Sequence, residues 1–401
     1  MTQTQNNDMK GIATMLIELH AIQNFAPSNL NRDDTGAPKD CLFGGVRRAR
    51  VSSQAWKRAM RIAFRDGGLL PDTQDIGTRT KRIVEALTKR LVARGIPAVE
   101  AEPLVVAAFD NLKMKVVDGK TEYLVFFGRQ ELDALADFCA THRTALMGEP
   151  AGGSETPVKA GRAAKNDKSG AKAALTGDVK AALEDTMKVG RAADIALFGR
   201  MIANNANINI DAACQVAHAL STHKVDIEFD YYTAVDDLNP KEDTGAGMIG
   251  TVEFNSACFY RYANVNLAQL KTNLKDDDAA VARTVEAFIR AFVTSIPSGK
   301  QNSMAAQNPC SFVFAVARQS GNWSLANAFV RPVSERMGDL VTESVARLGA
   351  EWQGITAMYG TQALAGQWWC ASHATPDNFA LSGGVADMDT LVANVLTAAG
   401  R

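Results

Sequence analysis

The sequence predicts a mixed α+β protein in which a β-sheet carries a helical insertion. Residues 225–231 and 251–262 alternate apolar and polar side chains, as half-buried strands do. Residues 74–115 and 131–146 instead repeat their apolar side chains with helical periodicity. Residues 39–65 read as a short strand followed by an amphipathic helix whose polar face is basic.

The composition is that of an ordinary globular protein. Of its 401 residues, 46% are hydrophobic and 22% charged, and the formal net charge is −1. This length suffices for one large domain or roughly two to three smaller ones. Near-neutral charge argues against a wholly basic coat for nucleic acid and favours a local binding groove.

The cysteines and the N-terminal residues indicate the cellular compartment. The six cysteines are scattered without a CxxC pair, which favours reduced thiols over a disulfide framework or a zinc site. The N-terminal residues are polar, and no apolar run approaches the length of a membrane span. We therefore expect a cytoplasmic protein with no membrane partner.

The first elements are a strand and a polar loop. Residues 15–25 are apolar and are expected to begin the sheet, and the loop at 27–40 is rich in turn-forming residues. Three side chains of this loop could reach a phosphate: Asn31, Arg32 and Lys39. Its Asp33 and Asp34 could bind a metal or cap local backbone. Capping is favoured, because two adjacent carboxylates are a weak metal signal.

The stretch at 39–65 concentrates positive charge. It has no acidic residue between Asp40 and Asp66. Its basic side chains after Asp40 are Arg47, Arg48, Arg50, Lys57, Arg58, Arg61 and Arg65. A glycine pair at 44–45 permits a backbone turn, after which residues 46–51 are predicted to form a strand.

The helix that follows separates its side chains into two faces. Ser52 or Ser53 is a good N-cap for it. The apolar face comprises Trp56, Ala59, Met60, Ala63 and Phe64. The opposite face contains no acid and comprises Gln54, Lys57, Arg58, Arg61 and Arg65. Like charges repel unless an anion lies among them, so this face predicts a binding site for a polyanion. A nucleic-acid backbone is favoured as the polyanion. The alternative is a solvent-exposed face that is basic by chance.

The middle of the chain gives further local predictions. Residues 123–127 are predicted to form a short buried strand and 211–223 a helix, whereas 148–176 are predicted to be a flexible insertion. The two alternating segments enclose a tip rich in Pro, Gly and Asp, which predicts a long hairpin with a functional role. On it, Tyr231 and Tyr232 could stack on bases or be ordinary strand aromatics.

The last part of the chain adds a polar loop. Residues 297–309 place Lys300 beside amide side chains and could hold phosphate, although the Walker A pattern is absent. A strand is predicted at 310–317 and helices at 334–349 and 386–399. Motifs of dinucleotide-binding, zinc-protease, serine-hydrolase and kinase sites are missing. We expect no cofactor, no bound metal and no catalytic residue.

Eight blocks of sequence resemble the backbone subunit of the type I-E CRISPR interference complex, Cascade, also called the CasC family. They occur in the order of that family and span most of the chain. The blocks are LNRDD (30–34), KDCLFGGVRRARVSSQAWKRAMR (39–61), DIALFGRM (194–201), AHALSTHKVD (217–226), YTAVDDL (232–238), FYRYANVNLAQL (259–270), GKQNSMAAQNP (299–309) and LANAF (325–329).

The resemblance implies a hand-like α+β fold. Its parts are a palm with a modified RRM-like (ferredoxin-like) sheet, a helical fingers insertion and a β-hairpin thumb. The implied ranges are palm at 14–61 and 191–224, fingers at 62–190 with the flexible segment 148–176, thumb at 225–258, and the rest of the palm with C-terminal helices at 259–401.

The resemblance also implies which residues contact a guide RNA. The positions that match backbone contacts are Asn31, Arg32, Lys39, Arg48, Arg50, Ser52, Gln54, Lys57, Arg58 and Arg61. The positions that match a kink in the guide are Arg200, Met201, Tyr232 and Thr233, with Met201 as an apolar wedge. Lys300 and Gln301 complete the set.

The leading hypothesis is a non-catalytic scaffold that binds CRISPR RNA and supports recognition of target double-stranded DNA in antiviral defence. Its partners would be further copies of itself in a head-to-tail filament, other Cascade subunits and, indirectly, a recruited nuclease. An alternative is a metal-dependent ribonuclease related to type III backbone subunits, with Asp33 or Asp34 as the acidic residue. A third is a metabolic α+β protein with an incidental basic helix.

Overall fold

The chain folds into two compact units. The computed structural model describes residues 15–70, 76–148, 175–234, 248–334, 338–373, 375 and 379–400. The sheet unit comprises residues up to 71, 213–272 and 276–401, and the helical unit comprises 72–212 and 273–275. Most of the predicted insertion at 148–176 and the hairpin tip at 235–247 lie outside the described residues. The palm, fingers and thumb boundaries stay predictions.

The strands and helices have the following bounds. The strands are β1 (Leu16–Ser28), β2 (Asp40–Phe43), β3 (Val46–Val51), β4 (Thr78–Thr80), β5 (Val116–Val117), β6 (Lys120–Thr121), β7 (Val125–Phe127), β8 (Cys214–Val216), β9 (Ala219–Ser221), β10 (Glu228–Ala234), β11 (Met248–Asn266), β12 (Phe312–Arg318) and β13 (Leu364–Ala371). The helices are α1 (Ser53–Asp66), α2 (Ile83–Ala93), α3 (Ala98–Asn111), α4 (Arg129–Thr141), α5 (Arg143–Met147), α6 (Gly177–Thr186), α7 (Ala193–Phe198), α8 (Leu267–Asn273), α9 (Asp278–Thr294), α10 (Gln301–Met304), α11 (Leu340–Tyr359) and α12 (Met388–Ala398).

One antiparallel sheet organises the sheet unit. Its strand order is β13–β12–β1–β11–β9–β3–β2, and β8 and β10 pair with other parts of the long β11. The central β1 pairs with β11 on one side and β12 on the other, beginning at Leu16↔Asn266 and Leu16↔Arg318. This central place explains the nearly continuous burial of β1, since both faces are covered.

Alternation along the strands sends side chains to two separate cores. Tyr260 and Tyr262 of β11 join β12 and Trp352 of α11 in one apolar cluster. Phe259 of β11 joins Trp56 of α1 in the other. The sheet is therefore packed on both faces, with α1 on the opposite face from α11.

Arg261 of β11 links the basic helix to the sheet. Its guanidinium carbon lies 3.6 Å from the ring centroid of Trp56 and 4.6 Å from that of Phe292 in α9. It donates to Gln23 Oε1 at 2.6 Å and to the carbonyl of Phe292. Burial lowers the pKa of Arg261 to about 10, so the group is still a cation at neutral pH. A desolvated cation–π contact of this kind is worth about 2 kcal/mol.

The helical unit has a core of its own. α2, α3, α4 and α6 enclose one apolar cluster, flanked by the two-stranded sheets β4–β7 and β5–β6. The helical periodicity at 74–115 and 131–146 is confirmed by α2, α3 and α4. The mixed α+β class is likewise confirmed, whereas the RRM-like character of the sheet stays a prediction.

One predicted helix is wrong. Residues 211–223 form the short strands β8 and β9, which pair with β11 and, at Val51↔Ala219, with β3. Hydrogen bonds to strands distant in sequence outweigh the local helical pattern here, since propensity is a weak prior. In the described ranges, no helix is both long and apolar enough to cross a membrane.

His20 is buried in the aromatic face of the sheet. Its Nδ1 lies 2.9 Å from the hydroxyl of Tyr260, which accepts from the Leu325 amide, and its ring stacks on Phe314. Burial first, and then the charge of Arg318, lower the pKa of His20 to about 3. The ring is therefore neutral in the folded state at ordinary pH.

We expect acid to destabilise the fold through His20. The folded pKa lies below the unfolded value of 6.5, so the unfolded chain takes up the proton first and stability falls as pH drops from 6.5 towards 3. This one site should cost about 2 kcal/mol between about pH 7 and pH 5. His20→Phe should abolish this part of the pH dependence of the free energy of unfolding, which urea unfolding at both pH values measures. Identical pH slopes for parent and variant would contradict the assignment.

Candidate nucleic-acid interface

The start of α1 is fixed by two short hydrogen-bonding residues. The hydroxyl of Ser52 accepts from the Ala55 amide at 3.3 Å, which confirms the predicted N-cap. The amide of Ser52 donates to Asn31 Oδ1 at 2.9 Å, so the polar loop is joined to the helix start. Ser52 is itself buried, at 6% exposure, and its hydroxyl is used in the cap.

The two faces of α1 are arranged as the sequence predicts. The helix buries Trp56, Ala59, Met60 and Phe64. On the opposite side Gln54 and Arg58 are exposed, and Lys57 and Arg61 are half-buried. Arg65 departs from the acid-free pattern, since it pairs with Asp66 at 2.7 Å.

A second basic group adjoins the helix start. Lys39 donates its amide to the Asn31 carbonyl and accepts from the Arg50 amide, each at 2.9 Å. Arg50 Nη1 lies 3.1 Å from Nδ1 of His218, a residue outside the predicted contacts. Partial burial and the charges of Arg50 and Lys39 lower the pKa of His218, so its neutral ring accepts from Arg50. His218 was missed because only the β3–β9 pairing brings it here.

A groove of about 650 Å³ runs between the polar loop, α1 and residues 296–299. Two cations, Arg32 and Arg58, and two acids, Asp33 and Asp34, line it, and all four residues are exposed. Its apolar lining residues are Leu30, Ala55, Ala59, Ile62, Ile296 and Pro297. Cations and apolar patches in one groove suit a single-stranded nucleic acid, because its phosphates contact cations and its bases contact apolar surface.

The carboxylate of Asp33 caps a turn of its own loop. Its Oδ1 accepts from the amide and hydroxyl of Thr35 at 2.9 and 2.8 Å and from the Ala37 amide at 3.0 Å. The Thr35 hydrogen bond is the main reason that the pKa of Asp33 is lowered. Turn capping, favoured from the sequence, is thus confirmed. Within the described ranges, His, Cys, Asp and Glu form no group of three or more suited to a metal ion.

The loop containing Lys300 and Gln301 packs against the same region. A Cβ at Gly299 would lie 2.3 Å from the Leu30 carbonyl oxygen, so only glycine permits this approach. Lys300 has a left-handed backbone, with φ of 52°. Gln301 Nε2 donates to the carbonyls of Pro297 and Ala306 at 3.2 and 3.1 Å, which makes its amide a brace for the loop.

The position of Arg48 contradicts its predicted contact with the guide backbone. Its side chain is fully buried and donates to the carbonyls of Ser221 at 3.2 Å, Phe329 at 2.7 Å and Val330 at 3.3 Å. Because the side chain is fully buried, none of its donors is exposed to a phosphate. Arg48 therefore joins the β2–β3 hairpin to the 329–330 turn and leaves the set of proposed contacts.

The position of Arg200 likewise contradicts its predicted role at the kink of the guide. It forms an ion pair with Glu131 at 2.7 Å, and both side chains are 1% exposed. Its guanidinium also donates to the carbonyls of Phe126 and Ile208. It therefore stabilises the helical unit. The next residue, Met201, is 83% exposed and keeps the accessibility that an apolar wedge needs.

Tyr232 and Thr233 lie on opposite faces of the hairpin of β10 and β11. β10 is exposed along its whole length. The ring of Tyr232 covers Gly250, its cross-strand partner, where an added Cβ would lie 2.5 Å from the hydroxyl. Thr233 shares the other face with Phe229 and Tyr231, because successive side chains alternate.

The fold resembles that of solved assemblies. A chain of a CRISPR RNA-guided surveillance complex, pre-nicking, is 31% identical, with a TM-score of 0.79, and the match covers 96% of this chain and 100% of that chain. A chain of a second CRISPR RNA-guided surveillance complex is 26% identical, with a TM-score of 0.70, covering 96% and 99%. No curated protein gives a significant match. The class defined by fold and site is thus that of subunits resembling those of CRISPR surveillance complexes.

The sequence also identifies the family. Residues 17–394 match the model of the family described as CT1975-like protein. The chain belongs to this CT1975-like family.

The two kinds of arginine should respond differently to truncation. Arg48→Ala should lower the free energy of unfolding by about 3 kcal/mol, because several buried carbonyls lose a charged donor. Arg58→Ala, at an exposed position, should stay within about 0.5 kcal/mol of the parent. Urea unfolding measures both. A stable Arg48→Ala protein that no longer retains RNA would return Arg48 to the contact set.

Proposed function

We propose that this chain is the CRISPR RNA-binding backbone subunit of a type I-E surveillance complex. One observation carries the proposal: predicted phosphate contacts from three separate segments of the sheet unit converge around the start of α1. The exposed or half-buried members are Asn31, Arg32, Lys39, Arg50, Gln54, Lys57, Arg58 and Arg61. The family and the similar surveillance complexes support the same reading.

The chemistry of the surface suits a guide of any sequence. Arginine and lysine contact phosphates, and the amides of Asn31 and Gln54 supply neutral hydrogen bonds to phosphate or ribose. None of these contacts needs a base edge, so the bases stay available for pairing with a target. Sequence recognition of double-stranded target DNA is then delegated to the guide.

The hairpin of β10 and β11 and the exposed Met201 would act on the path of the guide. We assign Tyr232 and Met201 to the kink, since both offer apolar surface to an unstacked base. Further copies would repeat the contact along one RNA, beside other Cascade subunits and a separately recruited nuclease. The chain itself would be non-catalytic.

The ribonuclease alternative is not favoured. Asp33 already accepts three hydrogen bonds within its own turn. Its neighbour Asp34 is exposed and belongs to no described group suited to a metal.

Removing basic side chains should flatten the salt dependence of RNA binding. For single strands, each lost phosphate contact makes the slope of log K against log[salt] less negative by about 0.7. Arg32→Ala/Arg58→Ala should therefore change the slope by about 1.4 in fluorescence anisotropy with a labelled single-stranded RNA. The control Lys89→Ala/Lys188→Ala removes equal charge from the helical unit, where both lysines pair with acids. Equal slopes for the two double variants would contradict the assigned surface.

The role of Asp33 can be separated from catalysis. Asp33→Asn keeps a side-chain oxygen for the turn and removes the carboxylate. We expect parent and variant to bind RNA equally and to leave it intact in the presence of Mg²⁺ or Mn²⁺. Gel electrophoresis of the RNA after incubation measures the cleavage. Metal-dependent cleavage by the parent that disappears in Asp33→Asn would establish the ribonuclease instead.

A further inference from the structure

Two neutral side chains near the start of α1 use an acceptor within the protein. Asn31 Oδ1 accepts from the Ser52 amide at 2.9 Å, so the side-chain nitrogen of Asn31 is left as a donor. His218 Nδ1 lies 3.1 Å from Arg50 Nη1. A guanidinium donates and never accepts, so Nδ1 is the acceptor of this hydrogen bond. Both residues therefore turn an acceptor inwards and keep a donor for a ligand.

The tautomer of His218 follows from this hydrogen bond. A neutral imidazole carries one proton, and with Nδ1 as acceptor that proton lies on Nε2. Partial burial, and then the charges of Arg50 and Lys39, lower the pKa of His218 and keep the ring neutral. His218 is exposed, and within the described ranges its Nε2 has no hydrogen-bond partner. The Nε2–H group is thus available to a ligand.

The ring of His218 is attached to a fixed part of the sheet. Arg50 Nε donates to the Asp40 carbonyl at 3.2 Å, and the Arg50 amide donates to the Lys39 carbonyl at 2.9 Å. His218 directly precedes β9, which pairs with β3 at Arg50↔Leu220. A donor held in place in this way loses little conformational freedom when a ligand binds.

We propose that His218 is a further guide-binding residue, whose Nε2–H donates to an oxygen of the sugar–phosphate backbone beside Arg50. A phosphate oxygen and a ribose 2′-hydroxyl both accept such a hydrogen bond. The inference rests on the proposed function and adds a neutral contact to the cations assigned there. A neutral donor releases no counterion, so it adds affinity without adding salt dependence.

Two substitutions separate the nitrogens of the ring. An asparagine amide reaches as far as Nδ1, so His218→Asn keeps an acceptor for Arg50 and loses the outward donor. A glutamine amide reaches as far as Nε2, so His218→Gln keeps that donor. We expect His218→Asn to bind RNA about fivefold more weakly and His218→Gln to stay within about twofold of the parent, as for one neutral hydrogen bond.

Fluorescence anisotropy of the full chain with a labelled single-stranded RNA of about eight nucleotides measures these affinities. A pH of about 8 keeps the ring neutral. The matched control is His373→Asn, at another exposed histidine whose Nδ1 lies 2.8 Å from the Ser372 hydroxyl. His373 follows β13, at the opposite edge of the sheet from β2 and β3, so this variant should bind as the parent does. All three substitutions are at exposed positions and should leave the melting temperature unchanged.

The salt dependence distinguishes a neutral donor from a cation. Parent and His218→Asn should give equal slopes of log K against log[salt]. A slope less negative by about 0.7 in the variant would make His218 a cationic phosphate contact and overturn the neutral role. Equal affinities of parent and His218→Asn, or equal losses in the asparagine and glutamine variants, would also overturn it.

A single-stranded DNA of the same sequence identifies the acceptor. A loss in His218→Asn that persists on DNA assigns the hydrogen bond to a phosphate oxygen, and a loss confined to RNA assigns it to the 2′-hydroxyl. Either result supports the donor role.

The same titrations separate this inference from the proposed function. A parent that binds no RNA would overturn both. A parent that binds RNA through Arg32 and Arg58, with no effect of His218→Asn, would overturn the role of His218 and leave the proposed function standing.

Discussion

The position of α1 depends on a buried cation in the sheet. Arg261 of β11 lies against the rings of Trp56 and Phe292, and it donates to Gln23 and to the Phe292 carbonyl. A buried charge is tolerated only where such partners compensate its lost hydration. Because Trp56 lies on the apolar face of α1, this contact also fixes the direction of the opposite, basic face. The surface that we assign to the guide is therefore set by an interaction beneath it.

The basic surface arises from where the acids lie, since the chain as a whole is nearly neutral. In the helical unit, cations at the end of α2 and just after it pair with acids on α4, as Arg90 does with Asp133 and Arg94 with Asp137. Around the start of α1, Asp33 instead accepts hydrogen bonds within its own turn and Asp40 pairs with Arg47, whereas Asp34 is exposed. The cations of α1 are thus concentrated in one part of a nearly neutral chain, which favours binding of a polyanion at one place.

The sequence by itself determined the elements whose signals are local. The strand at 46–51, the cap at Ser52, the two faces of α1 and the hairpin follow from periodicity and capping, which depend on residues a few positions apart. Tertiary structure alone decided which arginines are available to bind a phosphate. Arg48 is buried because carbonyls distant in sequence surround it, and its local sequence does not distinguish it from an exposed arginine. Tertiary structure also turned 211–223 into strands and brought His218 to the site. Both depend on pairing between strands far apart in the chain, and no local pattern encodes that pairing.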